Sequence, residues 1–289
     1  MQHTLRAPLT CQGVGVHSGE VSRVAVSPAA PGTGLRMVRT DVPDAAPGPV
    51  HVDAVADSRL ATVLSGPGWR VSTVEHLLAA LVASGVHNAL IEVHGSEVPV
   101  LDGSAAPWMA LVREVGLEAQ PARRREIVVC APVEVRSGDR VARLLPAPRL
   151  ALSARIRFPH PHIGAQALEL ALDADTFTRE IAWARTFSLL AGVEAMRAAG
   201  FARGGSLENA LVYGEEGVLN PEGARAADEP VRHKLLDMVG DLALAGLPLR
   251  ARFEAELPGH ALSAALLRAL FARPEAYRVE ERQDPVAAA

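Results

Sequence analysis

One histidine and two aspartates follow one another at helical spacing in the segment Asp228-Glu-Pro-Val-Arg-His-Lys-Leu-Leu-Asp-Met-Val-Gly-Asp241. Pro230 suits a first helical turn, and Asp228 is placed to cap it. With His233 at zero on a wheel of roughly 100° per residue, Asp237 falls at about 40° and Asp241 at about 80°. Val231, Leu235, Met238, Val239 and Leu242 cluster between roughly 140° and 240° on the same wheel. One face is therefore apolar, and the other presents His, Asp and Asp. An imidazole and a carboxylate at i and i+4 can reach one metal ion. A solvated face with an i, i+4 ion pair fits this helix equally well.

A second candidate is Ser72-Thr-Val-Glu-His76. The plainer account of Glu75 is a capping box with Ser72, which would satisfy two orphan donors at a helix start. His76 lies nearly opposite the Val74/Leu78 face, so it points to water or into a cleft. An adjacent Glu-His pair can supply one metal ligand and a base beside it. Zinc hydrolases need that arrangement: three protein ligands, an open position for water, and a carboxylate to take its proton.

His260 follows Pro258-Gly259 at the start of the last helix. A helix N-terminus lowers a histidine pKa, so a cationic His260 needs a carboxylate partner, for which Asp241 is the candidate. Of the 29 Lys+Arg residues only one is lysine, Lys234, and it stands beside His233. Arginine replaces lysine readily on a solvated surface, but less so where a compact ammonium must approach a developing anion.

The elements that must position these groups fall into two blocks. The first has strand-like Ser22–Val26, Gly34–Val38 and Thr62–Leu64, then a helix at Ser72–Ser84, a strand at Asn88–His94 and a helix at Pro107–Val115. The second has strands at Ile127–Val135, Arg140–Leu145 and Leu150–Phe158. Helices follow at Thr176–Leu190, Val193–Ala199 and Pro230–Ala245, then a strand at Arg250–Glu256 and a helix at His260–Ala272. Gln120–Glu126 separates the blocks as a polar, proline-bearing linker, whose arginine run reads as solvated chain rather than a phosphate patch. Two blocks of similar length, each with strands before helices, predict an α+β duplication, with domains over 1–122 and 127–289.

Composition narrows the function further. The chain has 289 residues, 49% of them hydrophobic, enough for a substantial core. A net charge of −4 with dispersed signs argues against a nucleic-acid binder. The N-terminus lacks the apolar core of a signal peptide, and no apolar run has spanning length, so a cytoplasmic protein is expected. Cys11 and Cys130 read as two buried reduced thiols.

Seven segments together resemble the UDP-3-O-acyl-N-acetylglucosamine deacetylase family. They are Gly13-Val-Gly-Val-His-Ser-Gly19, Ser72-Thr-Val-Glu-His-Leu77, Leu101-Asp-Gly-Ser-Ala-Ala-Pro107, Ala184-Arg-Thr-Phe187, Gly204-Gly-Ser-Leu207, His233-Lys-Leu-Leu-Asp-Met-Val-Gly-Asp241 and Gly259-His-Ala-Leu262. They keep the family order and cover nearly the whole chain. The resemblance implies two similar domains, each a β-sheet layered against helices, with the active site between them. It implies removal of the acetyl group from an acylated UDP-N-acetylglucosamine, the committed step of lipid A biosynthesis, with one zinc per chain on His76, His233 and Asp237, Glu75 as general base, and His260, held by Asp241, as acid or charge stabiliser. Lys234 and Thr186 would meet the oxyanion. Leu190, Val193 and Ala202 would line the channel for the fatty acyl chain, Phe158 and Phe187 would contact the substrate, and Arg140 and Arg157, which the family pattern does not supply, would provide phosphate charge. The chain departs from the family at Arg157, Ser188, Leu189 and Leu257-Pro258, around the nucleotide end of the substrate. A monomer is expected. The alternatives are a hydrolase of the same class acting on another acylated amino sugar, and a non-catalytic binder of the lipid precursor.

Overall fold

The computed structural model describes residues 1–282. Among the described residues there are six α-helices: α1 (Glu75–Ala83), α2 (Ala106–Val115), α3 (Ala174–Glu180), α4 (Leu190–Ala198), α5 (Glu229–Leu242) and α6 (His260–Phe271). The fold is α+β, and its two halves repeat one topology. In the first half a five-stranded sheet runs in the spatial order Leu9–Val14, Val21–Pro28, Ala89–His94, Leu35–Arg39, Gly48–Pro49. In the second half the order is Val133–Ser137, Arg140–Leu145, Arg252–Glu256, Ala151–Arg157, Ala165–Ala171. In both sheets the central strand is antiparallel to one neighbour and parallel to the other.

The correspondence extends to the flanks. Gln2–Leu5 pairs antiparallel with Leu117–Gln120, and Arg125–Val129 pairs antiparallel with Tyr277–Glu281. Each half also carries a three-stranded insert: Val55–Asp57, Val63–Gly66 and Trp69–Val71 in the first, Phe187–Leu189, Leu211–Gly214 and Gly217–Val218 in the second.

One helix enters each central strand, α1 before Ala89–His94 and α5 before Arg252–Glu256, and one leaves it, α2 and α6. Alternation drives the sheet faces: Val24 and Val26, and Leu152, Ala154 and Ile156, point into the core. On α5 the apolar face is buried as the wheel requires, through Val231, Leu235, Met238, Val239 and Leu242. Helix α1 packs on α5, and a single hydrophobic core runs through both halves.

Several local expectations are corrected. The helix expected over Thr176–Leu190 ends at Glu180, and Phe187–Leu189 is a strand paired in parallel with Leu211–Gly214. Tertiary pairing overrides the helical period there. Ile127–Val135 is two strands, broken at Cys130-Ala131-Pro132, where proline removes a ladder donor. Asp228 does not cap α5 by its side chain; its carboxylate accepts from Nε of Arg232 at 2.8 Å instead. Neither thiol is fully buried, since Cys11 is half-buried and Cys130 exposed; neither is in a disulfide.

The capping box is also overturned. α1 starts at Glu75 with Val74 at the cap position and no side-chain cap. Ser72 Oγ donates to the Ser96 carbonyl at 3.3 Å, and the Glu75 carboxylate accepts from the backbone N–H of Thr62 at 3.1 Å. The bend that follows strand Ala89–His94 has taken the hydroxyl, and a loop has taken the carboxylate.

Candidate metal centre and its surroundings

Helix α1 enters the contact with α5 through its N-terminus. Thr73, two residues before Glu75, has φ 58°, a costly conformation for a β-branched residue. Its hydroxyl donates to the buried Glu97 carboxylate at 2.7 Å, which holds the turn in place. Leu257 has φ 53° three residues before His260, so α6 also begins after a left-handed residue. Strain of this kind persists where the surroundings over-determine the backbone.

The packing of α1 on α5 brings His76, His233 and Asp237 together. One potential ligand atom from each lies within 4.8 Å of the other two, and all three residues are buried. His233 Nε2 is 3.3 Å and His76 Nε2 3.7 Å from Asp237 Oδ1. The imidazole rings stand at 87° with centroids 5.0 Å apart. Tetrahedral coordination with bonds near 2.0 Å places donor atoms about 3.3 Å apart, so this set suits a zinc-sized ion.

One further observation supports the fit. His233 Nδ1 lies 3.0 Å from the Ala184 carbonyl, which fixes the tautomer with its lone pair on Nε2. Nδ1 of His76 is buried with no hydrogen-bond partner. The nitrogen that faces Asp237 is the other one, Nε2.

The charges agree with that use. Burial pushes His233 down to about 3, leaving the neutral imidazole that a metal requires. Burial would raise Asp237, but His233, Lys234 and His76 outweigh it and hold the carboxyl well below the ordinary range. Lys234 Nζ donates to Asp237 Oδ2 at 2.7 Å and lies 5.6 Å from the Phe187 ring centroid. Burial would lower this ammonium, but the Asp237 charge and hydrogen bond reverse the direction and raise it.

Glu75, His260 and Asp241 form a second cluster beside the first. His260 Nδ1 is 2.9 Å from Asp241 Oδ1, and its Nε2 is 3.6 Å from Glu75 Oε1. Burial would lower the His260 pKa, but Asp241 and Glu75 override it and push it up to about 10. Burial is also the largest influence on Glu75 and raises it, with His260 and His76 pulling the other way. A buried carboxyl therefore faces a buried imidazolium, a base and an acid side by side.

The substrate-side candidates are distributed around these clusters. Phe158 and Phe187 meet edge to face at 5.2 Å, and Phe187 lies 6.3 Å from the His233 ring. Thr186 sits between Phe187 and Arg185, its N–H donating to Gly103 at 2.8 Å. Leu190 is exposed and Val193 half-buried on α4. The Ala202 N–H lies 3.4 Å from Nδ1 of His17. Arg140 stands beside Gly259, next to His260. Arg157 is exposed at the end of its strand, adjacent to Phe158.

Three positioning groups escape the sequence reading. Thr62 donates its hydroxyl to Asp241 Oδ1 at 3.1 Å and its N–H to Glu75, joining base and acid partner. Gly240 lets α5 touch the backbone of α1. Ala184 contributes only its carbonyl. None has a side-chain signature; Gly240 alone had a signal, as an interior helix glycine that propensity disfavours.

The comparisons with known proteins converge. A family described as "UDP-3-O-acyl N-acetylglycosamine deacetylase" matches residues 2–272. The UDP-3-O-acyl-N-acetylglucosamine deacetylase of Phenylobacterium zucineum (strain HLK1) is 49% identical over 290 residues, spanning 100% of this chain and 99% of the relative. The proteins of the same name from Anaeromyxobacter sp. (strain Fw109-5) and Anaeromyxobacter dehalogenans (strain 2CP-C) are each 45% identical over 278 residues. Both alignments span 96% of this chain, with 91% and 90% of the respective relatives. Among the described residues no helix is long and apolar enough to cross a membrane.

Proposed function

This chain belongs to the UDP-3-O-acyl-N-acetylglucosamine deacetylase family, and on that premise we propose that it hydrolyses the N-acetyl amide of UDP-3-O-acyl-N-acetylglucosamine. Water is consumed, and UDP-3-O-acyl-glucosamine and acetate are released. In this reading the reaction is the committed step of lipid A biosynthesis. The observation that carries it is the convergence of His76, His233 and Asp237 beside Glu75, His260 and Asp241.

His76 and His233, through imidazole nitrogens, and Asp237, through its carboxylate, would hold one zinc ion per chain. When bound, the ion supplies Lewis acidity toward the amide carbonyl and acidifies a water molecule. Glu75 is the general base and takes the water proton. Lys234 and Thr186 meet the charge that develops on the carbonyl oxygen. His260, cationic between Asp241 and Glu75, stabilises that charge and donates a proton to the departing sugar nitrogen. Asp241 keeps the ring charged and oriented, and Thr62 orients Asp241.

Phe158, Phe187, Leu190, Val193 and Ala202 contact the substrate, with Arg140 and Arg157 on its phosphates. The domains are assigned to 1–122 and 127–289, which matches the repeated topology. A cytoplasmic monomer completes the reading.

The test is acetate release by purified zinc-loaded protein, measured on the UDP-linked substrate and on unlinked acylated amides. Release from the UDP-linked compound is expected. Folded, zinc-loaded protein that binds it without turnover would identify a binder. Preferential cleavage of an unlinked amide would move the substrate to another amino sugar.

A further inference from the structure

Helix α5 holds the peptide bond between Ala184 and Arg185 at both ends. The carbonyl of that peptide lies 3.0 Å from Nδ1 of His233. Its N–H donates to Oε1 of Glu229 at 3.0 Å. Glu229 and His233 are four residues apart on α5, so two side chains on adjacent turns grip one peptide plane.

Glu229 is fully buried, and Arg185 is 2% exposed. The Glu229 carboxylate also accepts from Nε and Nη2 of Arg185 at 2.9 and 3.2 Å, and from the Arg225 N–H at 2.6 Å. The Arg185 guanidinium continues to the Gly223 carbonyl at 2.8 Å and to Glu222 at 2.5 Å. A buried ion pair is a poor stabiliser compared with apolar packing of the same volume. Its place against the peptide that orients His233 gives it another use.

We propose that Glu229 is a positioning residue for the metal centre, acting on His233 through the Ala184–Arg185 peptide. The inference rests on the reading of His233 as a metal ligand. Metal-binding histidines usually place a carboxylate or a backbone carbonyl on the far ring nitrogen. Here the two stand in series: carboxylate to amide N–H, then carbonyl to imidazole. A charged acceptor on the N–H polarises the peptide and strengthens its carbonyl as an acceptor. The carbonyl fixes the Nδ1–H tautomer and leaves the Nε2 lone pair facing Asp237. Arg185 balances the Glu229 charge, so no unpaired anion is buried.

The test is zinc affinity of the metal-free full-length protein, measured against a competing chelator, for the parent and for Glu229→Gln. The glutamine keeps shape and one acceptor but lacks the charge. A loss of affinity of about tenfold or more is expected, together with a changed NMR shift of the His233 Nδ1 proton. Glu229→Asp, which keeps the charge but withdraws it from the Arg185 N–H, should weaken zinc as well and serves if the glutamine variant does not fold. Parental zinc affinity in a folded variant, with only thermal stability reduced, would overturn the proposal. A parent that binds no zinc would instead overturn the metal-site reading beneath it.

Discussion

Gly240 of α5 lies directly against Glu75 of α1: a Cβ built on the glycine would stand 2.2 Å from the Glu75 carbonyl oxygen. The two helices therefore meet backbone to backbone at the residue that precedes His76. Since His76 comes from one helix and His233 and Asp237 from the other, this contact sets the width of the metal site.

Gly240→Ala should force the helices apart, because the obstructing atom is main chain and cannot rotate away. Overpacking of this kind costs about 1–3 kcal/mol. Urea unfolding should show that loss, and zinc content after dialysis should fall with it. An alanine variant with parental stability and a full zinc complement would contradict the role given to the contact.

Glu75→Gln should keep its zinc and lose turnover by about 10²–10⁴-fold, the usual contribution of a positioned general base. Zinc analysis alongside acetate release separates the two effects. Because the carboxylate caps Thr62 rather than its own helix, helicity by circular dichroism should stay at the parental level. If zinc is lost in proportion to activity, Glu75 belongs to the ligand set instead.

His260 should govern the basic limb of turnover. Its folded-state pKa, about 10, lies above the ordinary 6.5 of a histidine. Its stabilising charge interactions are therefore complete below pH 6.5 and are lost as pH rises toward 10. Asp241→Asn removes the nearest charge and should move the basic limb to lower pH. A pH profile unchanged by that substitution would assign the limb to another group.

His87 should make the fold acid-sensitive away from the active site. Burial, then the charges of Arg124 and His3, push it down to about 4. Its Nδ1 accepts the His3 N–H at 3.0 Å, which the protonated ring cannot do. The unfolded chain takes up this proton first, so stability falls as pH drops from about 6.5 to 4. His87→Gln should flatten the urea midpoint across that window; an equal slope in parent and variant would remove His87 as the cause.

Much of the site was legible because it obeys local periodicity. His233, Asp237 and Asp241 share one face of α5 by the 3.6-residue repeat alone, and the apolar residues opposite them form the core. Asp241 as the partner of His260 was also legible, since a charged histidine at a helix N-terminus requires a carboxylate. The repeated order of strands and helices carried the fold class.

Packing decided the rest. Ser72 and Glu75 have the spacing of a capping box, yet the Ser96 carbonyl and the Thr62 N–H, distant in the chain, captured both groups. The helical period of Thr176–Leu190 yielded to a parallel strand pairing at Phe187–Leu189. The close approach at Gly240, the Thr62 N–H on Glu75 and the carbonyl of Ala184 on His233 depend on backbone atoms, which every residue carries and no side-chain pattern distinguishes, and the Thr62 hydroxyl meets an Asp241 carboxylate far away in the chain. Periodicity specifies which face a residue occupies; only the folded chain specifies what stands opposite that face.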